Sequence, residues 1–409
     1  MVLPAQEQSI RFLKVKEMFE RGEYERVAQL IEITGSSDRD CISLSLLSEH
    51  LSLQKKEFNN SAPHPSGTGS SKLKHVAPKG RSLEADRTRL LAKAADAHSR
   101  YSNDSVINHI YAAVLLSMAG QSDDSFATEI LVQAIKLCEF NWAAWMELAT
   151  VSIPIPAELE DSLSGYELFP FYKLERLMHL RKYKSALSHL TSLKHDGEWS
   201  YIDKIEGACA HNLRDFDAAI VSFEKIVRRD KFHIGGMDLF SNCLFVKENT
   251  GQLFQLASQW VQVDPNALET CVIVGNYYSL MSDHEKAALF FKRATLVDPT
   301  NINAWLLLGH ELIELRNPSA ALSAYQQATR CTSAERDVRP WYAMGQLFEL
   351  INQFAFALYY HNVAARIDAK DSRIWKALSA CYLKLNRVDE SNQCNLKLRA
   401  LLDSSTMAI

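Results

Sequence analysis

Apolar residues in this chain recur at steps of three and four with polar residues between them, the pattern of amphipathic helices. Residues 40–58 show it through Ile42, Leu46, Leu47 and Leu51, and a long helical stretch resumes near Leu83 with Leu90, Leu91 and Ala94. A second, longer period lies on top of the first. Gly275, Tyr278, Ala287, Phe291, Ala294 and Pro299 stand at offsets 0, 3, 12, 16, 19 and 24. Thirty-four residues on, the first five of those offsets hold Gly309, Leu312, Ala321, Tyr325 and Ala328. After a slip of two residues, Trp341, Met344, Gly345, Phe348, Ala357 and Ala364 take up the phase in 338–371, and Trp375, Leu378, Ser379 and Tyr382 open 372–405. Upstream, Phe240, Ser241, Leu244 and Pro265 mark 234–267, Gly207, Phe216, Ala219 and Phe223 mark 200–233, and Leu177, Tyr183, Ala186 and Leu190 mark 167–199. Tyr111, Leu115, Met118, Ala127, Leu131 and Ala134 carry it back to 108–141.

Close packing of antiparallel helices explains these positions. Small residues at slots 8 and 20 let the two helices of a pair approach, alanine at slot 27 admits the next pair, and aromatic rings fill the space between layers. Proline in Asp264-Pro265 and Asp298-Pro299 cannot continue a helix, so it ends the second one. The spacing is that of the tetratricopeptide repeat. It predicts an all-α solenoid, a right-handed superhelix of antiparallel helix pairs in which no pair buries its apolar face alone.

The expected organisation has five parts. Residues 1–58 form an N-terminal helical region with one degenerate repeat around Phe12, Val15, Met18, Tyr24, Val27 and Ile31, and 59–82, rich in Ser, Gly and Pro, form a disordered linker. N-terminal repeats and an irregular insertion occupy 83–166, and the break in the 34-residue phase runs over 152–170 with Pro154, Pro156 and Pro170. Tandem repeats fill 167–405, and 406–409 are a tail.

Composition narrows the function. A net charge of −4 gives no general attraction to nucleic acid or an anionic membrane, and no uncharged apolar run of about 18 residues is present to span a bilayer. The first twenty residues lack a signal-peptide core, so the expected location is the nucleus and cytoplasm, and the eight scattered cysteines read as reduced structural thiols. Gly67 to Lys72 lacks the ending and the preceding strand of a phosphate loop. No His or Cys spacing suited to zinc and no nucleophile motif occurs, so neither catalysis, metal nor cofactor is expected.

Groove chemistry is the better target. In a repeat of this kind, slots 2, 5, 9 and 12 of each first helix line the concave face. They read Glu269, Val272, Asn276, Ser279, then Asn303, Leu306, His310, Ile313, then Arg339, Tyr342, Gln346, Glu349, with Glu311 beside the line and Arg373 and Lys376 beyond it. An amide, acid and aromatic floor suits an extended peptide carrying an arginine, whose planar guanidinium can share a carboxylate and an amide oxygen. The co-chaperone alternative, a generic adaptor that clamps a peptide's terminal carboxylate, needs Lys and Asn at recurring slots. Slot 5 holds Val272, Leu306, Tyr342 and Lys376, so that clamp is not assembled.

One stretch exceeds what the repeat demands. Residues 269–280 (ETCVIVGNYYSL), followed by 284–294 (HEKAALFFKRA), resemble the cell division cycle protein 23 family, the repeat-built subunit of the anaphase-promoting complex (cyclosome). Residues 304–311 (AWLLLGHE), 317–321, 357–360, 371–373, 210–215 and 237–242 support the resemblance, which covers roughly 100–402. It implies a non-catalytic scaffold subunit of a ubiquitin ligase acting in mitosis, binding other repeat subunits and forming homodimers through its N-terminal repeats. It also implies that the groove receives an arginine-bearing C-box motif of activator proteins, with Asn276 and Glu311 at the family's arginine-binding positions. Ser391 stands where alanine is expected and Asn395 where an aromatic is expected, so the last helix is unusually polar.

Overall fold

The computed structural model describes residues 5–34, 38–61, 79–118, 124–151, 156–193, 199–331 and 337–406. Every regular element among these residues is an α-helix. The chain divides into two compact units, Met1–Gly197 and Glu198–Ile409.

In the first unit the helices are α1 (Ala5–Glu20), α2 (Tyr24–Thr34), α3 (Arg39–Ser61), α4 (Lys79–Arg100), α5 (Ser105–Met118), α6 (Asp124–Leu137), α7 (Trp142–Thr150), α8 (Ala157–Leu163), α9 (Phe169–His179) and α10 (Tyr183–Leu193). The residues expected as a degenerate repeat lie on α1 and α2, which turn at Gly22 (φ 76°), and Val15, Val27 and Ile31 cluster with Cys41. Helices α3 and α4 extend into the segment expected as a linker, through Ser61 and from Lys79, and 62–78 lie outside the described residues. Part of the expected insertion, 152–155, also lies outside them; the remainder is the short helix α8 and a turn into α9, which starts with Pro170 in its first turn. Trp145 is fully buried, packs against Tyr172 and donates its indole N–H to the Glu139 carbonyl at 2.8 Å.

The second unit is six helix pairs: α11 (Ser200–Asn212) with α12 (Phe216–Arg229), α13 (Met237–Val246) with α14 (Thr250–Val263), α15 (Leu268–Leu280) with α16 (His284–Val297), α17 (Ile302–Glu314) with α18 (Pro318–Arg330), α19 (Arg339–Leu350) with α20 (Phe354–Ile367), and α21 (Ser372–Lys384) with α22 (Val388–Thr406). A shared turn joins the helices of each pair. Arg214, Glu248, Ser282, Arg316, Asn352 and Asn386 all have φ between 55 and 66°, the left-handed conformation that ends a helix. They follow one another at 34 residues except for 36 between Arg316 and Asn352, where the sequence slips. The next residue caps the second helix: Asp215, Asn249, Asp283 and Asn317 accept from the backbone N–H three residues on at 3.1, 3.2, 3.3 and 3.2 Å.

Inside four of these pairs a glycine meets a ring sixteen residues later. A Cβ on Gly207 would lie 2.8 Å from Phe223, and one on Gly275 2.5 Å from Phe291. Gly309 is likewise roofed by Tyr325 and Gly345 by His361. Where the first position is Ser241 its counterpart is Ala257, a small residue on both helices. Trp305 and Trp375 repeat the Trp145 device, donating to the carbonyls of Pro299 and Ala369 at 2.8 Å. Burial pushes the Cys243 thiol up to about 12 and that of Cys331 up to about 11, as expected of inert packing residues. Cys138 departs from the structural-thiol expectation: it is exposed, whereas the other seven cysteines are buried. Ser391, at an alanine position, is buried with its hydroxyl 2.9 Å from that of Ser379, so the polarity of α22 is satisfied internally.

Candidate peptide-binding groove

The first helices α15, α17, α19 and α21 carry the residues expected to line the groove. Their slot-5 aliphatics do not lie open: Val272 and Leu306 are buried in the core that also holds Ala287, Phe291 and Trp305. The correction has a physical reason, since each side chain fills the gap between one pair and the next and has no area left for a ligand. The accessible floor is polar. His310, Arg339 and Gln346 are exposed, and Glu269, Ser279, Asn303, Tyr342 and Glu349 are half-buried.

Asn276 is 2% exposed and its side-chain N–H₂ donates to Ser241 Oγ at 2.8 Å and Asn242 Oδ1 at 2.7 Å, tying α15 to α13. Glu311 is 6% exposed; it accepts from Ser279 Oγ at 2.7 Å, and its Oε2 lies 2.8 Å from His284 Nδ1. Asn276 and Ser279 are one turn apart on α15, and Ser279 is the residue that donates to Glu311. A carboxylate offers about four acceptor sites and two are used here, while the Asn276 amide oxygen has no hydrogen-bond partner among the described residues.

Neighbouring groove positions are also engaged. Asn303 Oδ1 accepts from Arg339 at 2.7 Å, and Arg339 grips Asp337 with two N–H groups. His310 lies 2.9 Å from the Tyr325 hydroxyl, and desolvation holds its pKa below the ordinary value although the residue reaches solvent. Arg373 pairs with Asp371 and lies 5.7 Å over the Tyr342 ring. Burial pushes the Asp371 carboxyl up, but the bonds and charge of Arg373 and the charge of Arg214 outweigh it and hold it below the usual range. Burial and then the charge of Arg339 lower the pKa of His211. The end of α11 with its following turn and the starts of α19 and α21 therefore feel one another electrostatically.

The sequence model of the family described as anaphase promoting complex subunit 8 / Cdc23 matches residues 2–195, and a tetratricopeptide-repeat model matches 302–331. The chain is 32% identical over 220 residues to anaphase-promoting complex subunit 8 of Arabidopsis thaliana, covering 53% of this chain and 37% of that one. The chain is thus similar to the Cdc23 family. The human cell division cycle protein 23 homolog is 31% identical over 250 residues, covering 61% of this chain and 40% of its own length. The chain thus spans about two fifths of the length of the Cdc23 relatives it matches. Among solved structures, the crystal structure of the APC/C hetero-tetramer Cut9-Hcn1 is similar with a TM-score of 0.55 at 16% identity, covering 96% of this chain and 78% of that one, a likeness of fold.

Two clusters join side chains from different repeats or helices. Ser279 and His284 reach Glu311 across a repeat boundary. His361, Glu349 and Cys381 converge from α20, α19 and α21, with Glu349 Oε1 2.8 Å from His361 Nε2 and 3.0 Å from Cys381 Sγ. His361 was findable: it stands sixteen residues after Gly345, where the other glycines have Phe or Tyr.

Proposed function

We propose that the chain acts as a non-catalytic scaffold in an anaphase-promoting complex, joining other repeat-built subunits and receiving an arginine-bearing activator motif on the concave face of its second unit. The observation that carries this reading is the match of residues 2–195 to the subunit 8 / Cdc23 family, together with relatives that bear the same subunit's name. The groove chemistry is compatible with it. A guanidinium entering beside Ser279 would meet the two remaining acceptor sites of Glu311 and the open amide oxygen of Asn276. Homodimer formation and a nuclear and cytoplasmic location belong to the same proposal.

Purification of the tagged chain from cells, followed by mass spectrometry, tests the scaffold role. Other subunits of the complex should accompany it at comparable abundance, and their absence would refute the reading. Fluorescence anisotropy with an arginine-bearing activator peptide tests the groove. Glu311→Lys should weaken binding at least tenfold, and an unchanged affinity in a folded variant removes Glu311 from the site. Light scattering should give a dimer at micromolar concentration; a monomer contradicts the dimer.

A further inference from the structure

His361 is the odd member of a series. Phe223, Phe291, Tyr325 and His361 each roof a glycine of the preceding helix, and all four are fully buried. A phenyl ring fills that slot with no polar atom to satisfy. The imidazole brings two nitrogens: Nε2 lies 2.8 Å from Glu349 Oε1, while Nδ1 is buried without a partner. Leaving a buried nitrogen unpaired costs about 1–3 kcal/mol, so a histidine here is a poorer core residue than the phenylalanine at the same slot of other repeats. Its Nε2 is aimed at a place where a second helix and a third also send donor atoms. Glu349 Oε1 lies 3.0 Å from Cys381 Sγ, and the three ligand atoms all lie within 4.8 Å of one another.

We propose that Glu349, His361 and Cys381 bind a transition-metal dication, zinc by preference. An imidazole nitrogen, a thiolate and a carboxylate form the mixed donor set that zinc favours over the oxygen-seeking magnesium and calcium. Zinc bonds of about 2.0–2.3 Å place ligand atoms roughly 3.3–3.6 Å apart in a tetrahedron, so the two short contacts to Glu349 must open by about half an ångström. In the metal-free triad two hydrogens converge on one carboxylate oxygen, and a dication takes their place. The thiol proton leaves to solvent and the Nε2 proton transfers to Nδ1, so one proton is released per ion bound. Glu349 is half-buried whereas His361 and Cys381 are buried, so an ion would enter from the side of Glu349. With Nδ1 lacking an acceptor to orient it, the site should yield its metal to EDTA.

Cobalt(II) is the probe. The chain, stripped with EDTA and reduced, should bind one Co(II) with a near-ultraviolet thiolate-to-cobalt band that zinc abolishes, and apparent affinity should rise about tenfold per pH unit for the single proton released. Cys381→Ser and Glu349→Gln should lose at least tenfold in affinity, and Cys381→Ser should lose the band. His361→Phe should lose the site while unfolding in EDTA at a temperature no lower than the parent, which separates loss of metal from loss of fold. A chain with no thiolate band, or an undiminished band in Cys381→Ser, would overturn the proposal.

Discussion

His284 Nδ1 and Glu311 Oε2 lie 2.8 Å apart, joining the start of one repeat's second helix to the first helix of the next. Together with the Ser279 hydroxyl at 2.7 Å, this makes a nearly buried carboxylate a clasp between repeats as well as a candidate ligand group. Glu311→Ala removes the acceptor and leaves both donors at the boundary. Hydrogen bonds to charged groups contribute about 1.5–3 kcal/mol, so thermal unfolding should show a loss of that order. Ser279→Ala should cost less, about 1 kcal/mol, because Glu311 keeps its contact to His284. Equal stability for Glu311→Ala and the parent would show that the clasp carries no energy.

Gly275 and Phe291 give a sharper steric test. An added Cβ would sit 2.5 Å from a ring that is fully buried and cannot swing out. Gly275→Ala should destabilise by about 1–3 kcal/mol through overpacking, despite alanine's better helix propensity. Combining it with Phe291→Leu should be less harmful than the sum of the two single changes, since the pair shares one volume. Strict additivity in urea unfolding would refute the shared-volume account.

The left-handed turn residues predict gains. Ser282 holds φ 59° and Asn352 the same value. Asparagine tolerates this conformation better than serine, and glycine adopts it without cost. Ser282→Gly should therefore stabilise by about 0.5–1 kcal/mol, and Asn352→Gly by less. A destabilised Ser282→Gly in differential scanning calorimetry would contradict this.

His109 on α5 supplies a pH dependence. Burial, and then the charge of His50, lower its pKa below the ordinary value of 6.5. The unfolded chain therefore binds this proton more readily, and stability falls as pH drops from about 6.5 toward the folded-state pKa, by up to about 1.4 kcal/mol per pH unit per proton. His109→Gln should flatten that part of the stability profile measured by urea unfolding between pH 7 and 5. An identical slope in the variant would place the dependence elsewhere.

Helix pairing was legible in the chain because each repeat states its contacts locally. Gly275 and Phe291, or Gly309 and Tyr325, are sixteen residues apart, and the turn between them is short enough that the spacing alone dictates which side chains meet. The capped turns, which go unnoticed in a search for apolar periodicity, are written in the sequence too: Asp215, Asn249, Asp283 and Asn317 recur at 34 residues. Groove exposure was less legible. Val272 and Leu306 occupy slots that face the concave side, yet neighbouring repeats close over them.

The amino-acid sequence by itself determined that this chain folds as paired helices, in which register, and with which residues between the helices of a pair, since short-range packing needs only the 34-residue spacing. The tertiary structure alone decided what lies between repeats: that Glu311 is met by Ser279 and His284, that Asn276 turns to Ser241 and Asn242, and that Glu349, His361 and Cys381 converge. Those contacts depend on how one pair is rotated against the next, and that rotation is set by the summed packing of whole helices rather than by any spacing along the chain.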